Sequence, residues 1–260
     1  NRVIEIMKIG KKKILSVLAV LCFGIAVSPI NFHGGNVGVL GNAADSVQIT
    51  ADLSTDDVKF IDKSGEAQID FDVLKEQNQD IYAWITIPGT RIDYPVLQKR
   101  DSEEAYDDFY LTHTVDLTEG FPGSIYSQAI NQTDFLDSIT ILYGHNLKDG
   151  GMFSDLHQFE DKDFFQKNRQ IIIYMPDSTV TYEIFAAVDF SDVFIPYEYD
   201  IDNPSEVHRY LDDIKECKGN FRENIKVSES DKLLTLSTCY SERDDRRLLI
   251  EAVMVEYVQN

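Results

Sequence analysis

Apolar residues along the chain gather into short runs separated by turn-forming residues, with one longer exception. Residues 14–30 (ILSVLAVLCFGIAVSPI) contain no charged side chain. At helical rise such a stretch spans about 25 Å, near the lower limit for crossing a bilayer. Lys11, Lys12 and Lys13 precede it directly. The positive-inside rule then keeps residues 1–13 as a cytoplasmic tip and puts the rest outside the cell. A cleaved signal peptide is the rival reading, with Asn42-Ala43-Ala44 as the candidate cleavage stretch. An uncleaved signal anchor is the expectation, and either reading exports the body of the protein. Residues 31–68 begin with a Gly-, Asn- and Ala-rich stretch and read as a linker off the membrane.

Beyond the linker the period changes. Phe71, Leu74 and Ile81 recur at helical spacing, which predicts a short amphipathic helix over residues 69–79. Strand-like runs at 84–87 and 92–97 flank the Pro88-Gly89 turn. Six more follow at 124–126, 139–143, 170–175, 180–190, 233–237 and 248–258, with a turn at Met175-Pro176-Asp177-Ser178. Helical pieces are expected at 152–159, 161–167 and 204–217, the last with Asn203 as N-cap and Pro204 at the first helical position. Eight short strands with few helices predict a mainly β domain over residues 69–260, closed or nearly closed into a barrel.

Composition narrows the chemistry. The 260 residues are 43% hydrophobic and 27% charged, which argues against global disorder. A net charge of −21 excludes a generic nucleic-acid phosphate partner. No glycine-rich phosphate loop is present, and the three cysteines and five histidines are too scattered for a zinc cluster or a disulfide framework. Neither a metal nor a cofactor is therefore expected.

Nucleophilic chemistry remains. Cys239 follows the β-prone run Leu233-Leu234-Thr235-Leu236-Ser237-Thr238 and precedes a polar turn, so a substrate can reach it at a strand rim. A thiol retained in an oxidising exterior is a liability unless it is used. Cys217 sits among charged helical residues, and Cys22 lies in the apolar run. A nucleophilic cysteine needs a proton partner, usually histidine. His145 ends another apolar strand, after Gly144, while His33, His113, His157 and His208 lie in linker, polar or helical surroundings. Acyl transfer also needs a donor for the developing oxyanion. Arg247 opens the last strand and returns beside Cys239 in a hairpin; spacing alone leaves Arg243 and Arg246 as competitors.

Thr235-Leu236-Ser237-Thr238-Cys239 with Arg247 eight positions on, and Tyr143-Gly144-His145-Asn146 upstream, resembles the signature of sortases, the membrane-anchored cysteine transpeptidases of Gram-positive bacteria. Trp84-Ile85-Thr86-Ile87-Pro88-Gly89-Thr90, Ile92-Asp93-Tyr94-Pro95-Val96, Gly123-Ser124-Ile125-Tyr126 and Lys148-Asp149-Gly150-Gly151-Met152-Phe153 are similar to class B members, over about residues 69–258. The resemblance implies a closed eight-stranded sortase-type β-barrel with N-terminal helices and a helix before the cysteine strand. It implies Cys239, His145 and Arg247 as the catalytic residues, with Arg247 preferred by register, and Ser237, Tyr197 and Leu111 lining the substrate groove. The implied partners are sorting-motif peptides of secreted proteins and a peptide amine of the cell wall. Alternatives are a purely hydrolytic cysteine endopeptidase, a pilin-joining transpeptidase and, outside enzymes, an acidic surface binding protein.

Overall fold

The computed structural model describes residues 59–61, 67–102, 104 and 106–260. The expected anchor at 14–30 and all but a few residues of the 31–68 linker lie outside the described residues. Among the described residues no helix is long and apolar enough to cross a membrane.

A small hairpin, β1 (Lys59–Ile61) with β2 (Ala67–Ile69), precedes helix α1 (Phe71–Gln77), whose first turn is capped by the Asp70 carboxylate. Strands β3 (Ile81–Thr86) and β4 (Asp93–Leu97) follow, then the single turn α2 (Phe109–Thr112), β5 (Ile125–Tyr126) and β6 (Ile139–Tyr143). A 3-10 helix at Ser154–Glu160 leads to α3 (Lys162–Lys167), β7 (Gln170–Met175) and the long β8 (Ser178–Ser191). The chain then forms α4 (Ile195–Glu198), α5 (Pro204–Lys215), β9 (Lys218–Phe221), β10 (Leu233–Cys239) and β11 (Arg246–Gln259).

Eight strands run β11-β10-β6-β5-β4-β3-β7-β8, and β8 pairs back onto β11 to close the barrel. Strand β9 lies outside the ring on β8. The pairs β4–β5 and β6–β10 are parallel, and the other neighbours in the ring antiparallel. Strands β8 and β11 are long enough to bend around the barrel because the register slips between Glu251 and Ala252 and between Met254 and Glu256, where bulges add local twist.

Three layers explain the hydrophobic pattern. Leu142, Leu234, Leu236, Leu248 and Ile250 point into the barrel. Their alternate neighbours, Ile139, Ile141, Leu233 and Leu249, face outward, where Val207, Tyr210, Leu211 and Ile214 of α5 cover them. Strand β6 therefore shows no polar alternation, since both of its faces are buried. Phe71 and Leu74 of α1 close a third layer over Trp84, Leu97 and Tyr126. All eight expected barrel strands are present. Helix α5 begins as read, the Asn203 side chain accepting from the Ser205 amide and Pro204 at the first position, but it ends at Lys215, two residues early. The expected helix at 152–159 is a 3-10 segment starting at Ser154.

Under α5 the outer layer holds a buried acid. Glu251 of β11 accepts from Tyr210 Oη (2.6 Å) and Thr235 Oγ1 (3.0 Å) and has no exposed surface. Burial pushes its pKa up to about 7, with the two hydroxyl bonds opposing that rise. The folded state therefore holds this proton more tightly than the unfolded chain, and folding loses stability as pH rises from the ordinary carboxylate value through 7. Above that window the ionised form costs about 3 kcal/mol. Urea denaturation should find Glu251→Gln more stable than wild type at pH 8 by up to that amount, with the difference gone at pH 4; a less stable variant at pH 8 would refute the buried-charge account.

Candidate active site

The site is built where β6 and β10 run out of sheet together. Their parallel register pairs Ser237 with Tyr143, so two residues further along each strand bring Cys239 and His145 to one rim and one face. Bonding continues past the last formal pair. The Gly144 amide donates to the Ser237 carbonyl at 3.2 Å, and Thr238 Oγ1 donates to the Gly144 carbonyl at 2.8 Å. Gly144 is required there, since a Cβ would come within 2.5–2.8 Å of Ile125 and Phe153. Strand β10 extends through Cys239, which the sequence reading put just beyond its end, and Cys239 is a half-buried thiol outside any disulfide.

On the other side of β10 the antiparallel register sets Arg247 directly opposite Cys239. Cross-strand partners hold their Cβ atoms about 5 Å apart on the same face. The guanidinium is 7% exposed; its Nη1 donates to the carbonyls of Asp244 and Arg246, both at 2.8 Å. Its Nη2 is buried without an acceptor among the described residues. A buried guanidinium N–H left unpaired is costly, and a substrate carbonyl oxygen would satisfy it. The competing arginines are committed elsewhere. Arg246 Nε and Arg243 Nη1 each donate to the Asp189 carboxylate at 2.6 Å, and together they outweigh burial to hold that carboxyl below its ordinary pKa.

His145 is 8% exposed, and its Nε2 lies 2.8 Å from the Leu111 carbonyl oxygen. A carbonyl only accepts, so Nε2 carries the proton and Nδ1 is the nitrogen left to exchange one. Burial pushes the imidazole below its ordinary pKa of 6.5, with the Leu111 bond partly offsetting the shift. Neutral histidine therefore predominates at pH 7. Leu111 meets the site through this backbone bond, while its half-buried side chain packs on the third layer.

Ser237 shares the outward face with Cys239 and is buried at the base of the rim. Tyr197, in α4, belongs to an aromatic wall. Its ring lies 4.3 Å from Tyr106 and 5.1 Å from Phe194, and Phe194 stacks on Tyr143 at 6.0 Å. The Tyr143 hydroxyl is buried with no partner among the described residues, and burial pushes its pKa up. Sequence reading used Tyr143 only as part of a motif. Its alternation with His145 on one strand face was the available signal. Tyr106 and Phe194 carried none, because long connections bring them in.

A polar cluster missed in the sequence grips the backbone of Cys239. Asn146 Nδ2 donates to the Cys239 carbonyl at 3.0 Å, and His157 Nε2 lies 3.1 Å from the same oxygen. His157 Nδ1 is 2.7 Å from Glu160 Oε2, and Tyr240 Oη donates to the other carboxylate oxygen at 3.1 Å. Behind this cluster Lys148, Ser241, Glu242 and Arg243 help line a groove of about 460 Å³. Among the described residues no group of His, Cys, Asp and Glu could hold a metal ion.

A thiol, an imidazole and a guanidinium with one open donor among the described residues, on one rim of a closed barrel, form a site suited to cysteine-dependent acyl transfer. Comparison with known proteins gives that class its family. A sortase-domain family model matches residues 85–255. Sortase B of Listeria monocytogenes is 34% identical over 203 residues, covering 77% of this chain and 80% of the relative. The structure of Clostridium perfringens sortase B aligns with a TM-score of 0.64 and 29% identity, over 72% of this chain and all of that one. A Staphylococcus aureus sortase B–substrate complex aligns at 0.62 and 28% identity, over 72% and 85%. The chain belongs to the sortase family, and its sortase B relatives make it a cysteine transpeptidase.

Proposed function

We propose that Cys239 is the nucleophile of this transpeptidase, His145 its proton carrier and Arg247 its oxyanion and substrate donor. The observation that carries the reading is the double register of β10: the parallel pairing with β6, carried two residues past Ser237–Tyr143, leads to Cys239 and His145, and the antiparallel pairing with β11 sets Arg247 opposite Cys239. The Cys239 thiolate attacks the carbonyl of a sorting-motif peptide bond, and Arg247 Nη2 donates to the oxygen as it gains charge. The bond to nitrogen breaks, and protonated His145 gives its Nδ1 proton to the departing amine. An amine of the cell-wall peptide then attacks the thioester, His145 accepts a proton from it, and the amide product leaves the thiolate behind. Because the resting imidazole is held below its ordinary pKa, the thiolate–imidazolium form is a minor fraction at neutral pH.

Ser237, Tyr197 and Leu111 help line the substrate groove, Leu111 through its backbone, and the aromatic wall around Tyr197 suits an extended peptide. Residues 14–30 anchor the chain in the cell membrane with residues 1–13 inside, so that residues 69–260 work outside the cell on secreted proteins. Incubation of the protein with a sorting peptide it cleaves should yield a mass adduct equal to the acyl fragment on the tryptic peptide containing Cys239. Added amine acceptor should convert that adduct into a new amide. An adduct on Cys217, or free acid as the only product, would overturn the assignment.

A further inference from the structure

A loop beside His145 holds apolar side chains out in water. Residues 113–123 connect α2 to β5, and Phe121 is 67% exposed and Leu117 50% exposed. The loop is tightly pinned nonetheless. The Gly120 amide donates to the Thr112 carbonyl at 2.7 Å, the Thr114 amide to Thr118 at 3.0 Å, and the Leu117 amide to Thr114 at 2.9 Å. Ser124 Oγ donates to the His113 carbonyl at 2.9 Å, and His113 bridges Glu119 across the loop. At Gly123, with φ +69°, a Cβ would fall 2.4 Å from the Leu111 carbonyl oxygen, so the loop base lies against the same residue that holds the imidazole. The Phe121 ring packs at a tilt against the His145 imidazole, with 5.2 Å between centroids.

A group that protonates a departing amine and deprotonates an incoming one must sit within hydrogen-bond reach of that nitrogen. The space beside His145 is therefore the amine side of the reaction, filled by the leaving peptide first and by the acceptor afterwards. We propose that Phe121 is a specificity-determining residue for this amine side: its ring covers the carbon chain carrying the attacking primary amine and keeps water from the thioester. This rests on the assignment of Cys239 and His145 above and adds to it the residue that decides between two acceptors. Attack by an amine turns the thioester into an amide and a thiol; attack by water turns it into a carboxylic acid and a thiol. His145 moves one proton in either case. The proton transfer thus favours neither acceptor, and on top of the amine's greater nucleophilicity an apolar cover favours an acceptor with a carbon body over one without.

The test uses the full chain with a sorting peptide it cleaves, and triglycine or Nα-acetyl-lysine amide as the amine, whichever the wild type accepts. The ratio of acid to amide product is read by mass spectrometry across acceptor concentrations. Phe121→Ala should raise that ratio about tenfold at fixed acceptor, the size expected for one lost apolar contact. Phe121→Leu, which keeps an apolar cover, should stay within about twofold of wild type. Since the readout is a ratio of products, loss of active protein cancels, and a two-thirds exposed side chain is not needed for folding. An unchanged ratio in Phe121→Ala would overturn the proposal, as would equal changes in the alanine and leucine variants. Failure of the underlying site assignment would look different, with no acyl adduct on Cys239 even in the wild type.

Discussion

Cys239→Ala should lower turnover of a fluorogenic sorting peptide by at least about ten-thousandfold, the scale seen when a covalent nucleophile is deleted. Alanine removes one sulfur atom from a half-buried position at the end of β10, where the backbone is held independently of the side chain. The Gly144–Ser237 and Thr238–Gly144 bonds and the Asn146 bond to the residue 239 carbonyl all survive the change. The variant should therefore unfold within a few degrees of wild type while losing the acyl adduct. Retained turnover would mean that the nucleophile is another group or an activated water. His145→Ala should fall almost as far, since the same imidazole serves both proton transfers, and the deficits of the single and double variants should be far from additive.

Arg247→Lys should cost about a hundredfold to a thousandfold in kcat/KM, with a larger share in kcat than in KM. The charge is kept, so only the loss of the planar fork is tested. In the structure one arm of that fork is tied to the Asp244 and Arg246 carbonyls, which leaves Nη2 buried and without an acceptor among the described residues. A lysine ammonium cannot hold both backbone carbonyls and present a second donor in the same plane. An oxyanion donor contributes most when charge has developed on the carbonyl oxygen, and removing one typically costs 2.7–4 kcal/mol. A near-normal rate would reduce Arg247 to a structural role in the β10–β11 turn. Arg246→Lys is the matched control: Arg246 pairs with Asp189 on the β8 side, and its replacement should leave kcat/KM within about threefold.

The barrel strands were legible in the sequence because each is a compact apolar run ended by Gly, Pro or a polar turn. Strand β9 was not. Lys218-Gly219-Asn220-Phe221 is polar and pairs only because β8 offers residues 186–189 as an edge, with Gly219 lying so close to the Ala187 backbone that a Cβ would not fit. The single turns α2 and α4 are too short for any periodicity to register. Within the site, Cys239 and His145 were marked by local context, each at the end of an apolar strand. Asn146, His157 and Glu160 were invisible as a group because the atom they serve, a backbone carbonyl, belongs to a residue 93 positions from Asn146 and 82 from His157.

By itself the sequence determined the eight barrel strands, the barrel class and the candidate thiol, imidazole and guanidinium, since these follow from residue type and short-range spacing. Tertiary structure decided which arginine stands opposite the thiol, which imidazole nitrogen is left to exchange protons, and which aromatic rings pack together beside Tyr143. The physical reason is that register between strands is a non-local quantity. The side-chain period of two makes a one-residue slip between β10 and β11 turn Arg247 away from the thiol and bring Arg246 to its face. Only the packed barrel, with α5 closed over the outward face of both strands, makes that slip too costly to occur.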